Sequence, residues 1–230
     1  MKKYIILICT LLFVSMSIQA QSVLDANHLA YVKQHLSAPS YAQAFHALLK
    51  QADLDLSLAP LTVVSKDYTP SSGSKHDYVS LARYAWPDKT KPGGLPYVMR
   101  DGVSNPELEK FDRNKLSTMA NAVYRLSLVY YFSGQEKYAK KATELIRVWF
   151  LDKATRMNPN LRYAQHIPGV CEGRCYGIID AYSFVEMLDG VQLLEKSKSL
   201  ERNRKNVNSN ICNRITCSSG NLCNRNMERA

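Results

Sequence analysis

No stretch of this chain shows sustained alternation of apolar and polar residues, which argues against a sheet as its main architecture. After the first twenty residues no apolar run is long enough to cross a bilayer, so no membrane partner is expected. There is no basic helix and no aromatic ladder of the type that binds nucleic acid, so nucleic acid is not an expected partner either. The formal net charge of +10 does not alter that reading. Part of it belongs to Lys2 and Lys3 and part to residues 200–230, and the mild excess between them fits an acidic substrate without demanding one. Metal-ligand spacing is missing as well. Of the six cysteines, Cys9 lies in an N-terminal apolar run, leaving Cys171, Cys175, Cys212, Cys217 and Cys223. Their separations match no common zinc knuckle, no histidine accompanies the last three, and an odd number leaves at least one thiol unpaired in an oxidising compartment.

What is present begins with a leader. Lys2 and Lys3 precede an apolar segment over residues 4–14, and Ala20 closes it with a small residue, the layout of a secretory signal peptide with cleavage expected near Ala20 or Gln21. No cysteine stands at the cleavage point, so a lipid anchor is not expected. The expected organisation is a signal peptide over 1–20, one helical domain over 21–199 and an aberrant, disordered tail over 200–230, with the mature protein periplasmic or secreted.

Three stretches carry helical periodicity. Leu116, Met119, Val123, Leu126 and Tyr130 predict one apolar face over residues 115–132, with Asp112 or Asn114 available as a cap. Tyr138, Ala142, Leu145, Ile146, Trp149 and Phe150 predict a second helix over 135–151. The link Ser133-Gly134-Gln135-Glu136 reads as a capping box and makes the two an antiparallel hairpin. A third helix is expected over 177–196, with Ile178, Tyr182, Val185, Leu188 and Leu193 inward. Residues 27–36 and 41–52 form a weaker helical pair split at Ser37-Ala38-Pro39-Ser40. The fold class is therefore all-α: helical hairpins joined by long loops.

Those loops, residues 65–106 and 158–176, are dense in Pro, Gly and Asp yet anchored by Tyr68, Tyr78, Tyr84, Trp86, Tyr97, Tyr163 and Tyr176, which points to function rather than disorder. From residue 200 the composition changes: asparagine and basic residues dominate, aromatics and helical period are gone, and the stretch reads either as a disordered tail or as translation in a shifted frame.

The loops also carry the recognisable motifs. Ser74-Lys75-His76-Asp77-Tyr78-Val79-Ser80, Tyr84-Ala85-Trp86-Pro87-Asp88 and Lys91-Pro92-Gly93-Gly94-Leu95-Pro96-Tyr97 lead into Arg100-Asp101-Gly102 and Asn105-Pro106-Glu107. Trp149-Phe150, Thr155-Arg156-Met157-Asn158-Pro159-Asn160-Leu161, Tyr163-Ala164-Gln165 and Gly173-Arg174-Cys175-Tyr176-Gly177-Ile178-Ile179-Asp180 follow. In this order, over roughly residues 66–197, the series resembles the alginate lyase superfamily of polysaccharide lyases. The resemblance implies an α/α toroid, here incomplete, and cleavage of alginate or a related polyuronate by β-elimination with no metal or cofactor. A donor cluster neutralises the uronate carboxylate so that the C5 proton becomes acidic, a base removes it, and an acid protonates the leaving glycosidic oxygen.

In lyases of this type an Asn-His pair and a later Tyr carry the central chemistry, and both would fall beyond Ser197, where this sequence has no His and no Tyr. The expectation is a truncated, inactive chain whose catalytic residues are unknown. What the resemblance leaves is a substrate-binding wall: His76, Tyr78, Tyr84 and Trp86 against sugar rings, Tyr163, Gln165 and His166 lining the cleft, and Arg174 opposite a carboxylate, which a guanidinium binds bidentately. Cys175 stands where a small residue, often Gly, is expected. Each residue has a quieter alternative: Trp86 as a loop anchor, His76 as a solvated side chain, Arg174 as a partner of Asp180 or of helix carbonyls. Two other functions stay open: an anionic-polysaccharide-binding remnant without catalysis, and a helical-repeat interaction protein. The sequence leaves the oligomeric state and disulfide pairing open.

Overall fold

A computed structural model describes residues 24–201. The leader and the tail beyond Glu201, with Cys212, Cys217 and Cys223, lie outside the described residues.

Local chemistry sets the first elements. Asp25 accepts the free N–H groups of Asn27 and His28 and starts α1 (Ala26–Gln34), and Pro39 opens α2 (Pro39–Leu56) at the position where its missing N–H costs nothing. After a long irregular segment come α3 (Asp112–Ser133), α4 (Glu136–Phe150), α5 (Ser183–Leu193) and the single turn α6 (Lys198–Glu201). Helix α3 is the centre of the molecule: α2, α4 and α5 all pack against it. Leu116, Met119, Val123 and Leu126 are fully buried there, facing Leu145, Ile146 and Trp149 of α4 and Phe184, Met187 and Val191 of α5. Burial of such side chains contributes about 1.5–3 kcal/mol each.

The molecule is mostly helical, as expected, and the α3–α4 hairpin follows the sequence period closely. Its ends do not. Neither Asp112 nor Asn114 caps α3: Phe111 takes the cap position and Asp112 turns inward, fully buried. The capping box at Ser133 also fails to form. Gly134, at φ 69°, closes α3 in the left-handed region by donating its N–H to the Tyr130 carbonyl, and Ser133 Oγ donates back to Val129. Glu136 is drawn away to Ser197 and Ser199, where its Oε1 accepts three hydrogen bonds of 2.7–2.9 Å. Ser197 Oγ in turn caps α6, and Leu200 is buried. The packed region therefore runs past the boundary expected at residue 199.

The third predicted helix is corrected in both form and face. Its first part, Cys175–Tyr182, is a 3-10 helix, and only Ser183–Leu193 is α-helical. Ile178, Tyr182 and Val185, expected inward, are exposed; Gly177, Asp180, Phe184, Met187 and Val191 are buried instead.

The long loops hold four short strands that no alternation announced: β1 (Val79–Leu81), β2 (Ala85–Trp86), β3 (Val98–Met99) and β4 (Tyr163–His166). Strands β1 and β4 pair in parallel, joining the two loops across some eighty residues of chain. Strands β2 and β3 form an antiparallel ribbon. Val79, Leu81, Phe111 and Tyr163 make a second, smaller core beneath them.

Candidate functional site

The junction of β1 and β4 is where the predicted site residues gather. In register, Val79 faces Tyr163 and Leu81 faces His166, so Ser80 opposes two residues, Ala164 and Gln165. Such a bulge re-aims a side chain. Gln165 is the residue re-aimed: its φ is +58°, a conformation that costs a non-glycine residue free energy and persists only when its surroundings enforce it. Its N–H donates to Ser80 Oγ at 2.8 Å, its Nε2 donates to Asp180 Oδ1 at 3.1 Å, and its Oε1 accepts from Arg174 Nη2 at 3.0 Å.

Arg174 reaches this position because its segment lies directly on β4. The Arg174 N–H donates to the Ala164 carbonyl at 3.0 Å. A Cβ on the preceding Gly173 would stand 2.0 Å from the Arg162 carbonyl oxygen, so only glycine allows the approach. The guanidinium lies over the ring of Tyr176, 5.3 Å from its centroid, and its Nε is buried with no hydrogen-bond partner among the described residues. The neighbouring Cys175 points outward and is a free thiol, so it does not fill the turn.

Behind Gln165 stands Asp180, 3% exposed, which accepts from Tyr78 Oη at 3.0 Å and from Ser80 Oγ as well as from Gln165. Arg113 Nε lies 3.4 Å from its Oδ1. Beside Gln165, His166 places Nδ1 3.0 Å from the Cys171 carbonyl. A carbonyl only accepts, so Nδ1 carries the proton and Nε2 is free to accept from Tyr68 Oη, 3.3 Å away. Burial lowers the His166 pKa, partly offset by the Cys171 carbonyl and Glu172. Burial, with Glu172 and Tyr163, raises that of Tyr68.

Six of the eight predicted residues fall into three groups. Gln165 and Arg174 bond each other, while His166, next along β4, turns to Tyr68 and the Cys171 carbonyl; Gln165 and His166 are both buried. Tyr84 and Trp86 lie on the β2–β3 ribbon, where Trp86 Nε1 donates to the Val103 carbonyl at 2.8 Å and Arg100 sits over the indole. His76 is half-buried, its Nδ1 donating to the Arg156 carbonyl at 2.7 Å. Its neighbour Asp77 holds loop to loop: burial pushes its carboxyl up, but bonds from Ser72, Asn158 and Asn160 outweigh that and keep it below its ordinary value.

Two expectations are corrected. Tyr78 is wholly buried and bonds Asp180, so it is a core residue and cannot stack on a sugar; Tyr163 is 4% exposed and belongs to the small core under the strands. The quieter alternative for Arg174 is also revised, since it takes Gln165 and leaves Asp180 to Arg113. Sequence reading missed Ser80, Arg113, Tyr68 and the central role of Asp180. Asp180 left a signal, as a lone carboxylate within Gly177-Ile178-Ile179-Asp180-Ala181 that needs buried partners, and Tyr68 was legible only as an aromatic anchor of its loop.

A buried, fully satisfied carboxylate behind a left-handed glutamine and a stacked arginine is an arrangement suited to receiving an anion. A model of the alginate lyase family matches residues 62–213. Among solved structures, an alginate lyase from Bacteroides ovatus is similar to this chain at 47% identity with a TM-score of 0.81, over 87% of this chain and 52% of that one. The chain spans about half the length of that solved relative. No curated protein matches. With more than half of its sequence matched by the family model and this similarity in fold, the chain belongs to the alginate lyase family.

Proposed function

We propose that the chain forms the substrate-binding wall of a polysaccharide lyase that cleaves alginate or a related polyuronate by β-elimination, and that its helices are part of an α/α toroid. The observation that carries this reading is the Arg174–Gln165 pair: a guanidinium stacked on Tyr176 and held at 3.0 Å by an amide oxygen. A guanidinium so held binds a carboxylate through a planar fork. Family membership and the similarity to the Bacteroides ovatus alginate lyase support the substrate class.

The part of that reaction which the described residues support is binding of the polyuronate. By resemblance, the Asn-His pair and the Tyr that drive elimination belong after Ser197, and residues 198–230 contain neither His nor Tyr. The basic start, apolar segment and Ala20 support work in a periplasm or outside the cell. The helical-repeat alternative finds no support here, since α4 is followed by β4 and a 3-10 helix rather than by a second hairpin of the same period.

The test is titration of the full chain with polymannuronate, polyguluronate and a polyglucuronate by calorimetry, with ultraviolet detection of unsaturated product in parallel. Saturable binding is expected, and Arg174→Ala weakens it roughly tenfold or more. Unsaturated product would show elimination directly, and absence of binding to all three polymers would overturn the substrate class.

A further inference from the structure

The Gln165 side chain is an amide, and an amide has a direction. One end donates and the other accepts, and both ends are in use here: Nε2 at 3.1 Å from Asp180 Oδ1, Oε1 at 3.0 Å from Arg174 Nη2. An ionised carboxylate only accepts and a guanidinium only donates, so the two neighbours together allow one orientation of the amide and forbid the flipped one. We propose that Asp180 is a positioning residue: by fixing which end of the Gln165 amide faces Arg174, it sets the guanidinium for a uronate carboxylate. This rests on the binding role given to Arg174 above.

Three features make Asp180 fit for the task. It is rigid, because Tyr78 Oη and Ser80 Oγ hold its other oxygen and Arg113 stands beside Oδ1. It is buried, so water does not compete for its hydrogen bonds. It is coupled to the backbone as well, because the Ser80 hydroxyl that donates to Asp180 accepts the N–H of Gln165 and so helps hold the left-handed conformation. Arg174 has a matching need. Its segment approaches β4 too closely to move, so its aim depends on what grips the guanidinium: Tyr176 on the face and Gln165 at one arm. Replacing the carboxylate by an amide of the same shape lets Gln165 turn its NH2 toward Arg174, where two donors face each other.

The full chain with Asp180→Asn is titrated with an oligouronate and with the same oligosaccharide after reduction of its carboxyl groups, alongside wild type and Arg174→Ala, with each melting curve recorded. Asp180→Asn is expected to lose roughly tenfold in affinity for the charged ligand and to keep the wild-type affinity for the reduced one. A merely structural role would weaken both together. Gln165→Met cuts the same link while leaving Asp180 its bonds to Tyr78 and Ser80, and the same loss of charge discrimination is expected of it; it decides the matter if Asp180→Asn does not fold. Full discrimination retained in these variants, with Arg174→Ala impaired, overturns the positioning role alone. Wild type that does not discriminate, or Arg174→Ala that binds as wild type, overturns the binding role of Arg174 and this inference with it.

Discussion

His166 is held at both nitrogens, by the Cys171 carbonyl at 3.0 Å and by Tyr68 Oη at 3.3 Å, and only 8% of it is exposed. Its folded pKa is lowered, chiefly by burial. The sign follows: the unfolded chain takes up the proton first, so stability is intact above about pH 6.5 and falls as the pH drops below that value, levelling once the folded residue titrates as well. One proton gives a slope of at most about 1.4 kcal/mol per pH unit. Denaturant melts between pH 7.5 and 5 should show this fall, and His166→Gln should flatten its share of it. An identical slope in the variant would assign the pH response elsewhere. This residue was legible as a site candidate through its motif. Its partner Tyr68 was not, because no local pattern connects positions 68 and 166.

At the scale of elements, the piece that joins loop to helix is the buried pair Lys66–Asp112, 2.9 Å apart with neither side chain exposed. Lys66 Nζ also donates to the carbonyls of Val63 and Lys75, and Asp112 Oδ2 accepts the N–H of Val79. One ion pair therefore ties the segment after α2, the start of β1 and the first turn of α3. Burial pushes Lys66 down and Asp112 up, each against the attraction of the other. Lys66→Met alone strands a buried carboxylate and is expected to cost about 3–5 kcal/mol, whereas the double variant Lys66→Met/Asp112→Leu recovers most of the loss. Urea midpoints of the two variants decide this, and equal destabilisation by both would contradict it. The sequence offered Asp112 as a helix cap; only the tertiary fold makes it a buried anion, because its partner comes from forty-six residues away.

For the whole molecule, the corrected face of the 175–193 segment matters most. Tyr176, Ile179 and Tyr182 are 60%, 56% and 72% exposed, with Ile178 and Val185 beside them, which is more contiguous apolar surface than scattered exposure accounts for. The opposite side of the same segment, Phe184, Met187 and Val191, is already packed on α3 and α4. We expect the full chain to self-associate, and Ile179→Lys/Tyr182→Ser to reduce its light scattering while shifting stability by less than about 0.5 kcal/mol, since neither side chain is buried. A monomer with a sharp, cooperative melt at the same concentration would overturn that expectation. No described helix is long and apolar enough to cross a membrane, so this surface is not a spanning segment.

The sequence by itself determined the central hairpin, the upstream helical pair and the family. Each rests on information that is local: a period of 3.6 over four turns or more, and rare tripeptides that recur in order. The tertiary structure alone decided the caps of α3 and α4, the face of α5, the four strands and the link between Asp180, Gln165 and Arg174. In the segment over 177–194, apolar residues recur at helical spacing on two sides, so periodicity could not choose between them, and packing against α3 did. Strands two to four residues long are too short to alternate legibly, and the two loops that carry β1 and β4 are also tied where Asp77 accepts from Asn158 and Asn160. The amide of Gln165 acquires its direction from a carboxylate and a guanidinium that meet only after the chain has folded.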